Sequence, residues 1–533
     1  MAIKKEAKVI SGDGGIVELN SSMREKMVIF SDGSALINEN SINDADVIAK
    51  VAILSHMKSN DGTYILSKDK VKYASPMEIH SFYLSSTVSR FTEGATQIQL
   101  DIVELIKNAV KRNATDIHIV VETAATYISF RIIGDLVQYQ ILTSEHGTLL
   151  CTTLYNTMTT TSGTNFNART QQDANIQESF LPSNLSGIRI ASSPTQGGNF
   201  FMVLRLLPKG SKTNIANLGY AKHQLEKLEK FKNRHSGGMT ICAGPTGSGK
   251  STLLQAITKS ILLSRKGRIN LITIEDPVEY PIVVEEMVNN KKMIYSARQV
   301  SIPSTQDRSI RQEYFHNAIV AAMRQDPDVI MVGEIRDKIT TDAALTASIT
   351  GHAIITTLHA NNAIMIMDRL LNMDATKSIL LAPKTITGLI SQHLVPVLCP
   401  KCKINLDKNR EVVDRGLIGR LESAFDGDLE GVYVKGDGCD FVDPDTNLKC
   451  INGAITRTVI AEIIEPDKNF LMKAFIGNLF DLHDYWIDEL NGVTMMCHGL
   501  VKVKLGMLDP RHLEDNLEEI TKQKNFQFAF ENN

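Results

Sequence analysis

The chain has 533 residues, 43% hydrophobic and 22% charged, with 57 Lys and Arg against 60 Asp and Glu. That length exceeds what one compact core holds, so three or four domains are expected, and a net charge of −3 argues against a general nucleic-acid binder. No apolar run approaches the ~18 residues of a membrane span, the first residues lack the apolar core of a signal peptide, and seven sparse cysteines suit a reducing cytosol.

Residues 1–95 carry short apolar runs, Met27–Phe30 and Val47–Leu54 among them, separated by polar turns such as Ser31–Ser34. They read as a small α+β domain without recognisable chemistry, a docking or packing module. From Ile98 to Val110 the apolar spacing is helical. Strand-like runs follow at Asp116–Val121, Tyr127–Ile133, Gly187–Ile190 and Phe200–Leu206, which predicts a second α+β domain over 96–208. Residues 214–395 alternate strands with helices, the pattern of an α/β parallel sheet, with strand candidates at Met239–Ala243, Ile269–Ile274, Val329–Val332 and Ala353–Thr357. Beyond lie a loop-rich segment with cysteines over 396–465, expected to bury little apolar surface of its own, and a polar helical tail over 466–533.

The motif that carries most chemistry is Gly244-Pro245-Thr246-Gly247-Ser248-Gly249-Lys250-Ser251, followed by Thr252. It matches the phosphate-binding loop G-x-x-x-x-G-K-[ST], with an apolar strand feeding in and a helical pattern leading out. Glycines let backbone N–H groups turn inward around a polyphosphate, and the helix start adds partial positive charge. Lys250 would reach the β- and γ-phosphates of ATP, and the Ser251 hydroxyl would hold Mg²⁺.

Two further strands end in acid. One is Leu271–Ile274 followed by Glu275-Asp276-Pro277-Val278-Glu279, and the other is Val329–Val332 followed by Gly333-Glu334-Ile335-Arg336-Asp337. Carboxylates at the C-terminal ends of parallel strands lie where ligands bind. One of the pair Glu275 and Glu334 would orient or deprotonate water, and the other would hold Mg²⁺ through a water. His359, just past the fourth strand candidate, is placed to sense the γ-phosphate. Cys399-Pro400-Lys401-Cys402, with Cys439 and Cys450 downstream, supplies four thiolates, enough to close a tetrahedral zinc site. Cys151, Cys242 and Cys497 read as ordinary buried cysteines.

Together these segments resemble the bacterial secretion-ATPase superfamily, and within it the assembly ATPases of type II secretion and type IV pili. Glu275–Glu279 looks like that family's aspartate box, Gly333–Asp337 like its atypical Walker B, and Thr350–Ala360 like its histidine box. Asp116–Ile119 and Arg169–Asp173 also echo family segments. The resemblance covers about residues 96–465 and implies a RecA-like ATPase core over 214–395. That core would follow a PAS-like α+β domain and a small N-terminal domain. It implies a homo-hexameric ring in the cytoplasm, peripheral to the inner membrane through a platform protein, with ATP, Mg²⁺ and Zn²⁺ as cofactors. It also implies arginine fingers on two strands of the second domain, a pattern that Arg189 and Arg205 fit. The chain departs from the family at Ser129, Asn175 and Val320, where arginines are expected, and in a longer loop from Tyr280 to Phe315. The divergent N-terminal region and that loop point toward a type IVb pilus system.

Other readings fit the same motifs. A pilus retraction motor would run the same chemistry for disassembly, but the resemblance implies a zinc-binding insertion at the cysteines for the assembly branch, which retraction motors generally lack. A nucleotide-gated scaffold without turnover is disfavoured by the intact Glu275 and Glu334. A nucleic-acid translocase is disfavoured by the lack of basic character.

Overall fold

The computed structural model describes the chain from residue 97 onward except for 161–164, 210–213, 234–236, 289–290, 304–306, 445 and 447. Before residue 97 it describes 10–11, 17, 19, 23, 26–42, 44–58, 64–74 and 79, so the reading of the first eight residues lies outside the described residues. Two compact units divide the chain: Met1–Leu105 with Leu149–Thr157, and Ile106–Thr148 with Met158–Asn533.

In the first unit, β1 (Met27–Ile29) pairs antiparallel with β2 (Ala35–Asn38), which pairs parallel with β3 (Val71–Ala74). The run Val47–Leu54 lies within helix α1 (Ala45–His56), capped by Asp44, whose side chain accepts from the amides of Asp46 and Val47. Val47 and Leu54 pack with Met27, Ile29 and Leu66. Helix α2 (Gln97–Lys111) follows, as its 3.6-residue apolar spacing predicts.

The second unit holds two large sheets. The first is fully antiparallel, in the order β6-β5-β4-β9-β8-β7. Its strands are β4 (Asp116–Val121), β5 (Thr126–Ile132), β6 (Asp135–Leu142), β7 (Gln172–Asn175), β8 (Leu185–Pro194) and β9 (Phe200–Pro208). Every second residue of β5 is buried, the signature of a sheet with one covered face. Ile188, Ile190, Leu204 and Leu206 take buried positions, which puts Arg189 and Arg205 on the opposite face.

The second sheet has seven strands, ordered β14-β11-β15-β16-β10-β17-β20. These are β10 (Gly238–Ala243), β11 (Leu271–Glu275), β14 (Arg298–Ser301), β15 (Val329–Val332), β16 (Ala353–Leu358), β17 (Ile386–Leu398) and β20 (Ala454–Ile464). All pairs are parallel except β17 with β20. Alternate residues of β10 enter separate cores on the two faces, Met239, Ile241 and Ala243 on one side and Cys242 on the other. Part of the long loop is structured as a hairpin of β12 (Val283–Val288) and β13 (Lys291–Ser296).

Two expectations need correction. The cysteine segment leaves the sheet after β17, forms the short antiparallel pair β18 (Ile404–Asn405) and β19 (Tyr433–Val434), and returns to the sheet as β20. It buries more apolar surface than expected, in a core shared with the C-terminal helices. Leu406, Leu421, Phe425, Val432 and Val434 are buried there together with Leu500 and Val503. The final segment is helical but not a polar tail. Its helix Met495–Lys504 is buried from Met495 through Val503, Lys502 included, because it packs under β17 and β20. Among the described residues no helix is long and apolar enough to cross a membrane.

Candidate active site

The phosphate-binding motif lies where β10 ends and helix α3 (Lys250–Ser264) begins. Gly244 has φ 143°, and a Cβ there would stand 2.4 Å from the backbone oxygen of Gln392 on β17, so only glycine fits. Lys250 Nζ donates to the carbonyls of Gly244 (2.7 Å) and Pro245 (2.9 Å). Burial lowers the Lys250 pKa, while the charge of Glu334 acts in the opposite sense. Pro245, Thr246, Gly247, Ser251 and Thr252 are exposed, and Gly249 half-buried. Ser248 Oγ is buried without a hydrogen-bond partner among the described residues. A cradle that a Cβ would fill, open backbone amides and an orphaned hydroxyl fit a polyphosphate with its Mg²⁺.

The two acids and the histidine come to the same edge. Glu275 closes β11, Glu334 lies two residues past β15, and His359 follows β16 directly. These three strands are consecutive neighbours, and β10 with its loop lies next to β16. Glu275 Oε1 accepts from Thr273 Oγ1 (2.6 Å) and Gln299 Nε2 (3.0 Å). Burial raises its pKa, and those two donors oppose the rise. Glu334 Oε2 accepts from Arg336 Nη2. Its Oε1 is buried with no hydrogen bond among the described residues, and His359 Nε2 stands 3.3 Å away at ion-pair distance. Thr357 Oγ1 donates to the Gly333 carbonyl (2.6 Å), which ties the histidine-bearing strand to the glutamate-bearing turn. Glu334 also lines a cavity of about 290 Å³, together with Arg308, Arg311, Phe315 and Arg336. Arg311 also holds Asp276, next to Glu275.

Arg189 and Arg205 occupy paired positions on β8 and β9. Arg189 Nη1 is 3.2 Å from Glu279 Oε1, and its Nη2 donates to the Pro277 carbonyl at 3.4 Å. Arg205 Nε is 3.2 Å from Asp116 Oδ1. Burial first, then the Glu279 charge, pushes the Tyr280 phenol beside them up to about 12. Within this chain the arginine pair therefore meets the loop that follows Glu275, and among the described residues it makes no hydrogen bond or ion pair with the phosphate-binding loop.

Cys399, Cys402, Cys439 and Cys450 converge, with all four sulfurs within 4.8 Å of one another. Cys399 Sγ lies 3.7 Å from Cys439 Sγ, and Cys402 Sγ 3.8 Å from Cys450 Sγ. Zn–S bonds of about 2.3 Å in a tetrahedron set sulfurs about 3.8 Å apart, so the four thiols fit zinc. Burial acts to raise the Cys399 thiol, but amide N–H groups of Cys402 and Lys401 aimed at its sulfur bring it below its ordinary value. Gly436 makes the turn possible, since a Cβ there would stand 2.1 Å from the Cys402 carbonyl oxygen. Cys151, Cys242 and Cys497 are buried, as expected.

Sequence reasoning missed Gln392, Tyr220, Gln299 and Arg311. Only the polar triplet Ser391-Gln392-His393, inside a mostly apolar strand, carried a local signal.

Residues 92–509 match the family described as Type II/IV secretion system protein. The chain is 32% identical over 372 residues to the putative type II secretion system protein E of Escherichia coli K12, covering 68% of each chain. It is 33% identical over 312 residues to type II secretion system protein E of Pseudomonas aeruginosa, covering 56% of this chain and 54% of that one. The type IV pilus assembly ATPase PilB of Thermus thermophilus is 33% identical over 345 residues, which is 64% of this chain and 34% of PilB. The chain thus spans about half the length of the Pseudomonas relative and a third of the Thermus one. The fold is shared with the ATPase DotB of Legionella pneumophila, at a TM-score of 0.52 and 20% identity, over 78% of this chain and 94% of DotB. With four motifs gathered at one sheet edge and a family match across most of its length, the chain belongs to the type II/IV secretion system protein family.

Proposed function

We propose that the chain is a Mg²⁺-dependent ATP hydrolase that powers assembly of pilin or pseudopilin subunits, in a type IV pilus or type II secretion machine. It would work as a homo-hexameric ring in the cytoplasm, held at the inner membrane by a platform protein. The observation that carries this reading is the convergence of the Gly244–Ser251 loop, Glu275, Glu334 and His359 at neighbouring strand ends.

Each side chain has a role that its surroundings suit. Lys250 would neutralise phosphate charge, exchanging loop carbonyls for phosphate oxygens. Ser251 and Glu334 would hold Mg²⁺, which supplies charge stabilisation to the departing phosphoryl group. Glu275, with a pKa raised by burial, would accept a proton from the attacking water or orient it. His359 beside Glu334 would report the state of the γ-phosphate. Arg189 and Arg205 would complete the site as arginine fingers when subunits assemble. Zinc at the four cysteines would be structural, since sulfur fills all four positions and leaves none open for water. The cysteine cluster favours assembly over retraction. Steady-state phosphate release by the purified chain tests the reading, and absence of turnover in the assembled ring would favour a scaffold instead.

A further inference from the structure

Behind the phosphate-binding loop lies a buried polar chain that no motif announces. Gln392 on β17 is 2% exposed. Its Nε2 donates to the Ser248 carbonyl at 2.7 Å, and its Oε1 accepts from the hydroxyl of Tyr220. The Ser248 carbonyl can only accept, so it fixes which way the Gln392 amide points and leaves the Tyr220 hydroxyl as the donor. Tyr220 is 6% exposed and packs with Leu253, Leu254 and Ile390.

Tyr220 belongs to the segment 214–221, which follows the arginine-bearing β9 and precedes the helix Lys222–Asn233. That segment is pinned to β20. Lys502 Nζ donates to the carbonyls of Gly219 and Val459 and to Thr458 Oγ1. Gln224 Nε2 donates to the Ala461 carbonyl at 2.8 Å. The C-terminal end of the linker is thus fixed to the sheet at Gly219, and the adjacent Tyr220 reaches the nucleotide loop through a single glutamine. Resting on the proposed ATPase reading, we infer that Tyr220 and Gln392 are positioning residues that register the linker against the phosphate-binding loop. Nucleotide affinity then depends on where the linker sits.

The loop is braced before and during reaction alike. Loosening it weakens ground-state and transition-state binding together, which raises KM and leaves kcat in place. The test uses the full chain with Tyr220→Phe, Gln392→Leu and the double variant. MgADP affinity is read by calorimetry, KM and kcat for ATP by phosphate release, and the melting midpoint by thermal unfolding. Each single variant should weaken MgADP binding and raise KM about three- to tenfold, the range of a lost buried hydrogen bond, with kcat within about twofold. Because Tyr220 acts through Gln392, the double variant should match Gln392→Leu alone. Independent, multiplying losses would overturn the relay, and so would affinities within about twofold of the unaltered chain. A fall in kcat with KM unchanged would mark an interaction made only in the transition state and would overturn the proposal. If Gln392→Leu does not fold, Tyr220→Phe, which removes one oxygen, decides the affinity arm. Failure of the unaltered chain to bind MgADP or hydrolyse ATP would instead remove the proposed function, and the relay with it.

Discussion

Arg189 and Arg205 stand directly opposite each other on adjacent antiparallel strands, each held by a different carboxylate, Glu279 and Asp116. Like charges paired across a sheet repel, so the arrangement needs both acids. It also places two guanidiniums on one face of the sheet, beside the loop that leaves Glu275. Replacing either arginine by alanine in the full chain should leave nucleotide binding intact. Turnover should fall about a thousandfold or more, the effect of a lost arginine finger. Turnover within about tenfold of the unaltered chain would mark these as ordinary strand-face arginines.

Glu275 must be ionised to take a proton, and burial raises its pKa above the ordinary 4.5. A base with a raised pKa loses its active form earlier as pH falls. The acid limb of kcat should therefore lie above 4.5, with turnover lost on the acid side and retained as pH rises. The pH profile of kcat checks this, and a limb at or below the ordinary carboxylate value would take Glu275 out of the ionising step.

The four cysteines should hold one zinc per chain, found by elemental analysis of protein never exposed to chelator. Structural zinc sites supply roughly 10–16 kcal/mol in small peptides. Here the segment also shares an apolar core with the C-terminal helices, so Cys399→Ser should loosen the residues around the cysteines without unfolding the whole segment. Hydrogen exchange should rise near 399–403 and 436–453 while MgATP binding persists. A zinc content well below one per chain would rule out the site and shift the reading toward retraction.

Gly244→Ala places a Cβ 2.4 Å from the Gln392 backbone oxygen at a φ that L-residues rarely adopt. Neither atom belongs to a flexible side-chain end, so β10 and β17 would have to separate locally. Nucleotide binding should be lost and the melting midpoint lowered. A variant with unchanged MgATP affinity would show that the loop tolerates the shift.

The parts of this molecule legible in the sequence are those specified by local pattern. The loop before Lys250, the acidic strand ends at Glu275 and Glu334, and the apolar strands of the parallel sheet each advertise themselves within a dozen residues. The cysteine convergence was legible because the ligand chemistry restricts it, although Cys439 and Cys450 are widely spaced. What escaped depends on contacts distant in the chain. The strand Gln172–Asn175 is too polar to read as a strand, and Asp135–Leu142, at the opposite edge of the sheet, exposes apolar residues such as Leu136 and Ile141 in place of a clean buried alternation. Lys502 and His498 are polar in sequence yet buried, Lys502 by acceptors contributed from β20 and the linker. Gln392 and Tyr220 lie 172 positions apart, and nothing local to either marks the pairing.

The most direct measurement is ATP turnover and MgATP binding by the full chain and its Glu275→Gln variant, side by side. The unaltered chain should release phosphate, and the variant should keep its MgATP affinity while turnover falls by about a hundredfold or more. Near-normal turnover in Glu275→Gln would contradict the assigned chemistry. Binding without turnover in the assembled, unaltered ring would contradict the hydrolase reading as a whole.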